Sequence, residues 1–202
     1  MGKSSNNTNG TMEKNQANSE NTSLRGDKSK SGKTLEAIFE KNLKSIYSAE
    51  KQLADALPEM ARAADNEDLQ DAFTDHLQET KRHAERLEKI FERLGIDKKD
   101  EKTCKVMQAI IEEGSKIIAE HEKGPVRDSA LIITAQKVEH YEIAAYEALC
   151  ELAEALRYPK IAEILERTLM EEEDADKDFC CMIQDINDEA YELHDTEQEE
   201  MA

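Results

Sequence analysis

Apolar residues recur at helical spacing through four long stretches of this chain, and each stretch interrupts its own apolar stripe with acidic or imidazole side chains near its midpoint. A chain patterned in this way has few options. Each helix must bury one face against the others, and whatever interrupts that face is carried into the core with it.

The first stretch runs from about Thr34 to Ala64 through Leu35, Ile38, Phe39, Leu43, Ile46, Leu53, Leu57 and Met60. Pro58 lies inside it and should kink it, because proline removes a backbone donor and crowds the carbonyl four residues back. Asp65 suits the N-cap of the second stretch, with Glu67 and Asp68 complementing the helix dipole. That helix continues through Leu69, Ala72, Phe73, Leu87, Ile90 and Leu94 to a stop at Gly95. The third begins near Asp128, after Gly124-Pro125, and carries Leu131, Ala135, Val138, Ala145, Leu149 and Leu152. Pro159 opens the fourth, where its missing donor costs nothing, and Ile161, Leu165, Leu169, Phe179, Ile183 and Ile186 follow.

Loop lengths then set the topology. Only a few residues join the first helix to the second and the third to the fourth, so each pair is antiparallel. About thirty residues separate Gly95 from Arg127, with a short apolar pattern of their own in Met107, Ile110, Ile111, Ile117 and Ile118. Such a connection spans the roughly 40 Å of a 28-residue helix and returns the chain, making the second and third helices parallel. The expected class is all-α: a ferritin-like antiparallel four-helix bundle with one long crossover containing a short fifth helix. It occupies residues 33–191, between a disordered polar tail at 1–32 and an acidic C-terminal tail at 192–202 that should fray.

Composition agrees. Seven glycines, three prolines and 4% aromatic residues suit helices better than sheets. A formal charge of −19 opposes attraction to nucleic acid and anionic lipid and draws cations. Only the weakly basic tail at 1–32 offers nucleic acid a contact, and a solubilising role is its simpler reading. No stretch reaches the ~18 apolar residues of a membrane span and no secretory signal opens the chain. Cys104, Cys150, Cys180 and Cys181 form no CxxC or Cys/His spacing, so they read as reduced thiols of a cytoplasmic protein.

The interruptions carry the chemistry. Glu50 falls between Ile46 and Leu53 on the first stripe; His76, Glu79 and His83 fall between Ala72 and Leu87 on the second. Glu139 and Glu142 interrupt the third, Glu172 and Asp176 the fourth. All lie within about a turn of their helix midpoints, so in a bundle with aligned ends they share one level. Ionised carboxylates are too costly to bury without cations. Oxygen-rich ligation with one or two imidazoles, and no thiolate, suits a pair of iron or manganese ions. Either His76 or His83 has the spacing to share a metal with Glu79, and either could instead only hydrogen-bond a carboxylate. Tyr47 and Tyr146, one turn from Glu50 and Glu142, either orient those carboxylates or simply pack. His140 falls off the stripe.

The strings YSAEKQL at 47–53, IEEG at 111–114, RDSALIITAQKVEHYEIAAY at 127–146 and TLMEEEDAD around Glu172 resemble the YciE/YciF family of bacterial stress-associated ferritin-like proteins. The resemblance covers about Thr34 to Tyr191. It implies a dimeric ferritin-like bundle, a two-metal site from Glu50, Glu79, Glu139, Glu142 and Glu172, and a link to stress responses without an established reaction. One departure bears on activity: the wider ferritin-like pattern places Glu-x-x-His on two helices, whereas here the second helix offers His76-x-x-Glu79 or Glu79-x-x-x-His83 and the fourth has no histidine. An oxygen-richer centre favours oxidised metal, which suits metal binding with slow consumption of peroxide better than rapid turnover. No catalytic residue is assigned. Two other readings use the same residues: a non-enzymatic, metal-stabilised stress protein acting through partner binding, and a mini-ferritin protecting DNA from iron.

Overall fold

Five helices make up most of the described chain, and no strand occurs among the described residues. The computed structural model describes residues 34–98 and 103–200, with side chains to 193. The polar tail expected at 1–32 lies outside the described residues. Helix α1 spans Leu35–Ala63, α2 Glu67–Leu94, α3 Lys105–Glu120, α4 Pro125–Ala155 and α5 Pro159–Glu200. The last of these is helical through most of the segment expected to fray. None of the described helices is long and apolar enough to cross a membrane.

Local chemistry explains the ends. Thr34 caps α1 through its side chain, which accepts from the Ala37 N–H at 3.3 Å. Helix α1 stays helical on both sides of Pro58. The N-cap of α2 is Asn66 rather than Asp65: Asn66 has extended backbone and accepts from the Leu69 N–H at 3.1 Å. Asp65 stands one residue too early, and its own N–H goes to Asp128, at 2.9 Å. Gly95 closes α2 in the left-handed region at φ 67°, which glycine adopts without a side-chain penalty. Helix α4 starts at Pro125, ahead of the expected Asp128, because proline's fixed φ and absent donor suit the first helical position.

Cross-helix partners give the directions. Between α1 and α4, Ala63 pairs with Arg127 and Glu50 with Tyr146, so one chain advances as the other retreats. Tyr47 with Glu88 and Glu50 with His83 place α2 antiparallel to α1, and Phe73 with Phe179 and Arg86 with Thr168 place α5 antiparallel to α2. Helices α2 and α4 advance together, from Asn66 beside Asp128 to His76 beside Glu139. They are parallel, and the segment holding α3 returns the chain between them.

Phe39, Leu43 and Ile46 of α1, Leu69, Phe73, Leu87 and Ile90 of α2, Leu131, Ile132 and Leu149 of α4, and Leu165, Phe179 and Ile186 of α5 are buried in one core. Leu35 and Ile38, expected on the α1 stripe, are instead exposed. Helix α3 lies against α1 and α4 with Met107 and Gly114 buried. A Cβ at Gly114 would stand 2.7 Å from Cε of Met60, the flexible end of that side chain, so α3 lies close to α1 there with the Met60 thioether filling the seam.

The α1–α2 turn is tied to α4 by a polar knot. Asp128, almost fully buried, accepts from the N–H groups of Asp65 (2.9 and 3.0 Å) and Asn66 (2.7 Å). Arg127 beside it donates to the Ala63 carbonyl at the end of α1. Donors at the start of one helix and an acceptor at the end of another are thus satisfied inside the protein.

Candidate metal centre

Six of the eight polar residues that interrupt the apolar stripes come together in the core. His76, Glu139, Glu142 and Glu172 each offer one ligand atom, these atoms lying within 4.8 Å of one another, and Glu50, His83 and Glu172 form a second such group. Glu172 belongs to both. All six are buried, with Glu50, Glu142 and Glu172 at 0% exposure. Each group contains one imidazole, both supplied by α2, while α1, α4 and α5 bring carboxylates.

Glu79 and Asp176 belong to neither group. At about 100° per residue, position 79 lies about 60° to one side of His76, off the line of His76, Thr80 and His83. Its half-exposed side chain accepts from Arg82 at 3.1 Å. Asp176, one turn beyond Glu172, lies 3.2 Å from Nε2 of the exposed His140. The two tyrosines also separate: Tyr146 is buried and donates to Oε1 of Glu50, whereas Tyr47 donates to Glu88 at 2.6 Å, away from both groups.

The sequence pattern did not single out Glu171. Its Oε2 is 2.9 Å from Nε2 of His83 and 2.6 Å from Nη1 of Arg86, while Nη2 of Arg86 reaches Oε1 at 2.8 Å. Arg86 also donates to Thr168 at 3.1 Å. Burial would raise the Glu171 carboxyl, but the bonds from Arg86 and His83 outweigh it and hold it down at about 2. Glu171 is therefore ionised, His83 donates to it from Nε2, and Nδ1 is the nitrogen that faces the cluster. The usable signal was physical rather than positional: a buried histidine with one nitrogen on a polar site needs a partner for the other.

The donor set fits a cation on its own chemistry. Nδ1 of His83 lies 2.9 Å from Oε1 of Glu172 and 3.7 Å from Oε2 of Glu50, and Nε2 of His76 lies 3.2 Å from Oε1 of Glu139. None of these approaches has hydrogen-bond alignment. Among the described residues, Oε2 of Glu50, both nitrogens of His76, Nδ1 of His83, Oε2 of Glu139 and both oxygens of Glu142 and of Glu172 have no hydrogen-bond partner. So many converging lone pairs in a dry interior match the needs of divalent ions with oxygen and nitrogen ligands.

Protons are the alternative counter-charge, and the electrostatics shows which groups would hold them in the metal-free protein. Burial, then the neighbouring carboxylates, pushes Glu139 and Glu142 well above the ordinary carboxylate range. Burial raises Glu172 to about 7 against the opposing close contact of the His83 imidazole. His76 falls to about 3 through burial and the nearby His83, so its contact with Glu139 is not an ion pair. His83 behaves oppositely: burial would lower it, but Glu172 and Glu50 lift it to about 11. One imidazolium is the cluster's internal cation, facing four buried acids.

A family model described as "Domain of unknown function (DUF892)" matches residues 34–192. Protein YciF of Escherichia coli strain K12 is 48% identical over 144 residues, covering 71% of this chain and 87% of that protein. The crystal structure of the E. coli stress protein YciF is similar at a TM-score of 0.74 and 44% identity, covering 77% of this chain and 98% of that one. YcfI from Rhodopseudomonas palustris is similar at a TM-score of 0.69 and 38% identity, covering 72% of this chain and 92% of that one.

Proposed function

The chain belongs to the family described as Domain of unknown function (DUF892), and from its core cluster and its likeness to the stress protein YciF we propose that it is a ferritin-like stress protein whose core holds two iron or manganese ions. In this reading α1, α2, α4 and α5 are the four helices of the bundle and α3 is the short helix of its crossover. The parallel course of α2 and α4 supports it, and the resemblance to the YciE/YciF family implies a dimer.

One observation carries the proposal: Glu172 is shared by two buried groups, each completed by an imidazole and carboxylates with unpartnered atoms. His76, Glu139 and Glu142 would hold one ion, Glu50 and His83 the other, and Glu172 both. Such ions supply Lewis acidity and one-electron redox capacity. The chain's own residues do the positioning. Tyr146 fixes the Glu50 carboxylate through its hydroxyl, and Glu171, clamped by Arg86, fixes the tautomer and tilt of His83. Burial of every candidate ligand keeps bulk water from the site, which strengthens each electrostatic contact there.

Elemental analysis of the protein as isolated, followed by titration of the metal-free chain with Fe(II) or Mn(II), tests the reading. Two ions per chain and a rise in melting temperature with Fe(II) or Mn(II), against little change with Mg(II), are expected. Equal shifts with all three cations would reduce the effect to screening of negative charge and end the proposal.

A further inference from the structure

Every residue of the two core groups is buried, so an ion bound there needs a way in, and polar side chains on the outside of the α4–α5 pair mark one. Asp176 stands one turn beyond Glu172 on α5, and His140 follows Glu139 on α4. Nε2 of His140 lies 3.2 Å from Oδ1 of Asp176, with the imidazole 69% exposed and the carboxylate 22%. One member of the pair stands in solvent, the other is half inside, and each adjoins a member of the cluster.

Asp176 is not satisfied by this contact. Its Oδ1 is buried without a hydrogen-bond partner among the described residues, because the approach of His140 lacks the alignment for one. No lysine or arginine pairs with it among the described residues. Its charge is also felt inside: burial, then Glu172, Glu50 and Asp176 in that order, raise the Glu139 carboxyl. Glu139 itself is 1% exposed with Oε2 unpartnered. A carboxylate oxygen with an imidazole nitrogen on its outer side and unpartnered carboxylates on its inner side is a stepping point for a divalent cation. Two protein donors are too few to hold the ion, since stable sites use four or more ligands, so the pair suits passage rather than storage.

The same seam continues into an acidic groove. The register that sets Ser129 beside Asn187 and His140 beside Asp176 next brings Glu147 to Leu169 and Cys150 to Glu166. These four line a groove of about 580 Å³ whose near end is Ala144, one turn from His140. Four glutamates line it and no cationic side chain does. A cleft lined by one sign of charge focuses the field and concentrates ions of the other sign. Acidic walls alone would be a solvated face; these end at an unsatisfied carboxylate that leads into the core.

We propose that the outer α4–α5 seam is the loading route for divalent cations, in which the acidic groove gathers the ion and His140 and Asp176 pass it to Glu139 and Glu172. The route rests on the metal-binding reading for its destination but not for its outer step.

Mn(II) kinetics on the full-length protein test it. Uptake, read as loss of the free-ion EPR signal, and release into excess chelator should both slow about 10-fold in His140→Ala and in Asp176→Asn, with two ions still bound and the affinity within about twofold. A residue on the route changes both rates by one factor and leaves their ratio alone, whereas a ligand changes the ratio. Neutralising the groove with Glu147→Gln and Glu151→Gln should slow uptake several-fold at low salt, and the equal loss of charge from Asp55→Asn and Glu59→Gln, exposed on α1, should not. In Glu172→Gln, where the core no longer competes, traces of Mn(II) should still broaden the ring resonances of His140 more than those of the exposed His121. Unchanged rates in both pair variants, lost affinity in place of lost speed, equal effects of the groove and α1 changes, or equal broadening of the two histidines would each overturn the route. Wild-type protein that takes up no ions while Mn(II) still singles out His140 would instead strike only the core metal reading.

Discussion

Glu171 of α5 accepts from Nε2 of His83 on α2 across 2.9 Å, and this contact decides which face of the imidazole meets the cluster. Because Arg86 keeps Glu171 ionised, the ring presents Nδ1 inward whatever the pH above the carboxylate range. Glu171→Gln keeps the shape but offers the ring a weaker, ambiguous partner. We expect it to retain full helicity by circular dichroism and to lose about 10–100-fold in Mn(II) affinity by calorimetry. Unchanged affinity would remove Glu171 from any positioning role.

Membership of the two groups makes the stoichiometry of single variants distinguishable. Glu172→Gln removes a residue common to both and should abolish binding of both ions, whereas Glu50→Gln touches only the group containing His83 and should leave one ion per chain. Atomic absorption on dialysed protein reads both numbers. Retention of two ions by Glu172→Gln would contradict the shared position.

The metal-free protein should become less stable as pH rises from about 6 to 9. Burial raises Glu172 to about 7 and lifts Glu139 and Glu142 well above 4.5, so these acids bind more protons folded than unfolded, and stability falls as pH climbs through that range. His83, lifted to about 11 by Glu172 and Glu50 against its burial, adds stability that is full below 6.5 and lost as pH rises through 11. The two slopes share a sign. Glu171 acts only at the acid end, its contribution present above 4.5 and lost as pH falls through about 2. Melting temperatures recorded in chelator across pH 6–9 check this. A rising profile would contradict it, and saturating Mn(II) should flatten the slope, because metal replaces the protons the acids otherwise need.

Asp128 offers a test of the frame that leaves the cluster alone. Asp128→Ala strands the N–H groups of Asp65 and Asn66 at the start of α2 and should cost about 2–4 kcal/mol in denaturant unfolding. Asp128→Asn keeps an acceptor and should recover about half of that. A loss under about 0.5 kcal/mol in the alanine variant would mean that solvent replaces the cap.

What the sequence disclosed depended on whether a residue's meaning was periodic. Glu50, Glu139, Glu142 and Glu172 stood out because a charge inside an apolar stripe has no cheap alternative, and His76 and His83, seven apart, shared that stripe. The long connection between Gly95 and Arg127 carried the parallel course of α2 and α4 in its length alone. Glu79 was harder to place: an offset of about 60° is small on a helical wheel but enough to send a side chain to Arg82 and solvent. Glu171 was invisible for a different reason. In a run of three glutamates its neighbour Glu172 claimed the stripe, and the partner that gives Glu171 its meaning, Arg86, lies on another helix. Asn66 displaced Asp65 as the cap because backbone conformation, not residue type, chooses between adjacent candidates.

The parallel course of α2 and α4 divides the cluster between the two ends of the polypeptide. Everything before the crossover supplies Glu50, His76 and His83, and everything after it supplies Glu139, Glu142 and Glu172. Neither fragment of a chain severed between α2 and α3 would own a complete set of donors. If the cluster holds cations, their reunion in a test tube would respond to the supply of those ions, on top of the apolar core and the Asp128 contacts that the two hairpins share.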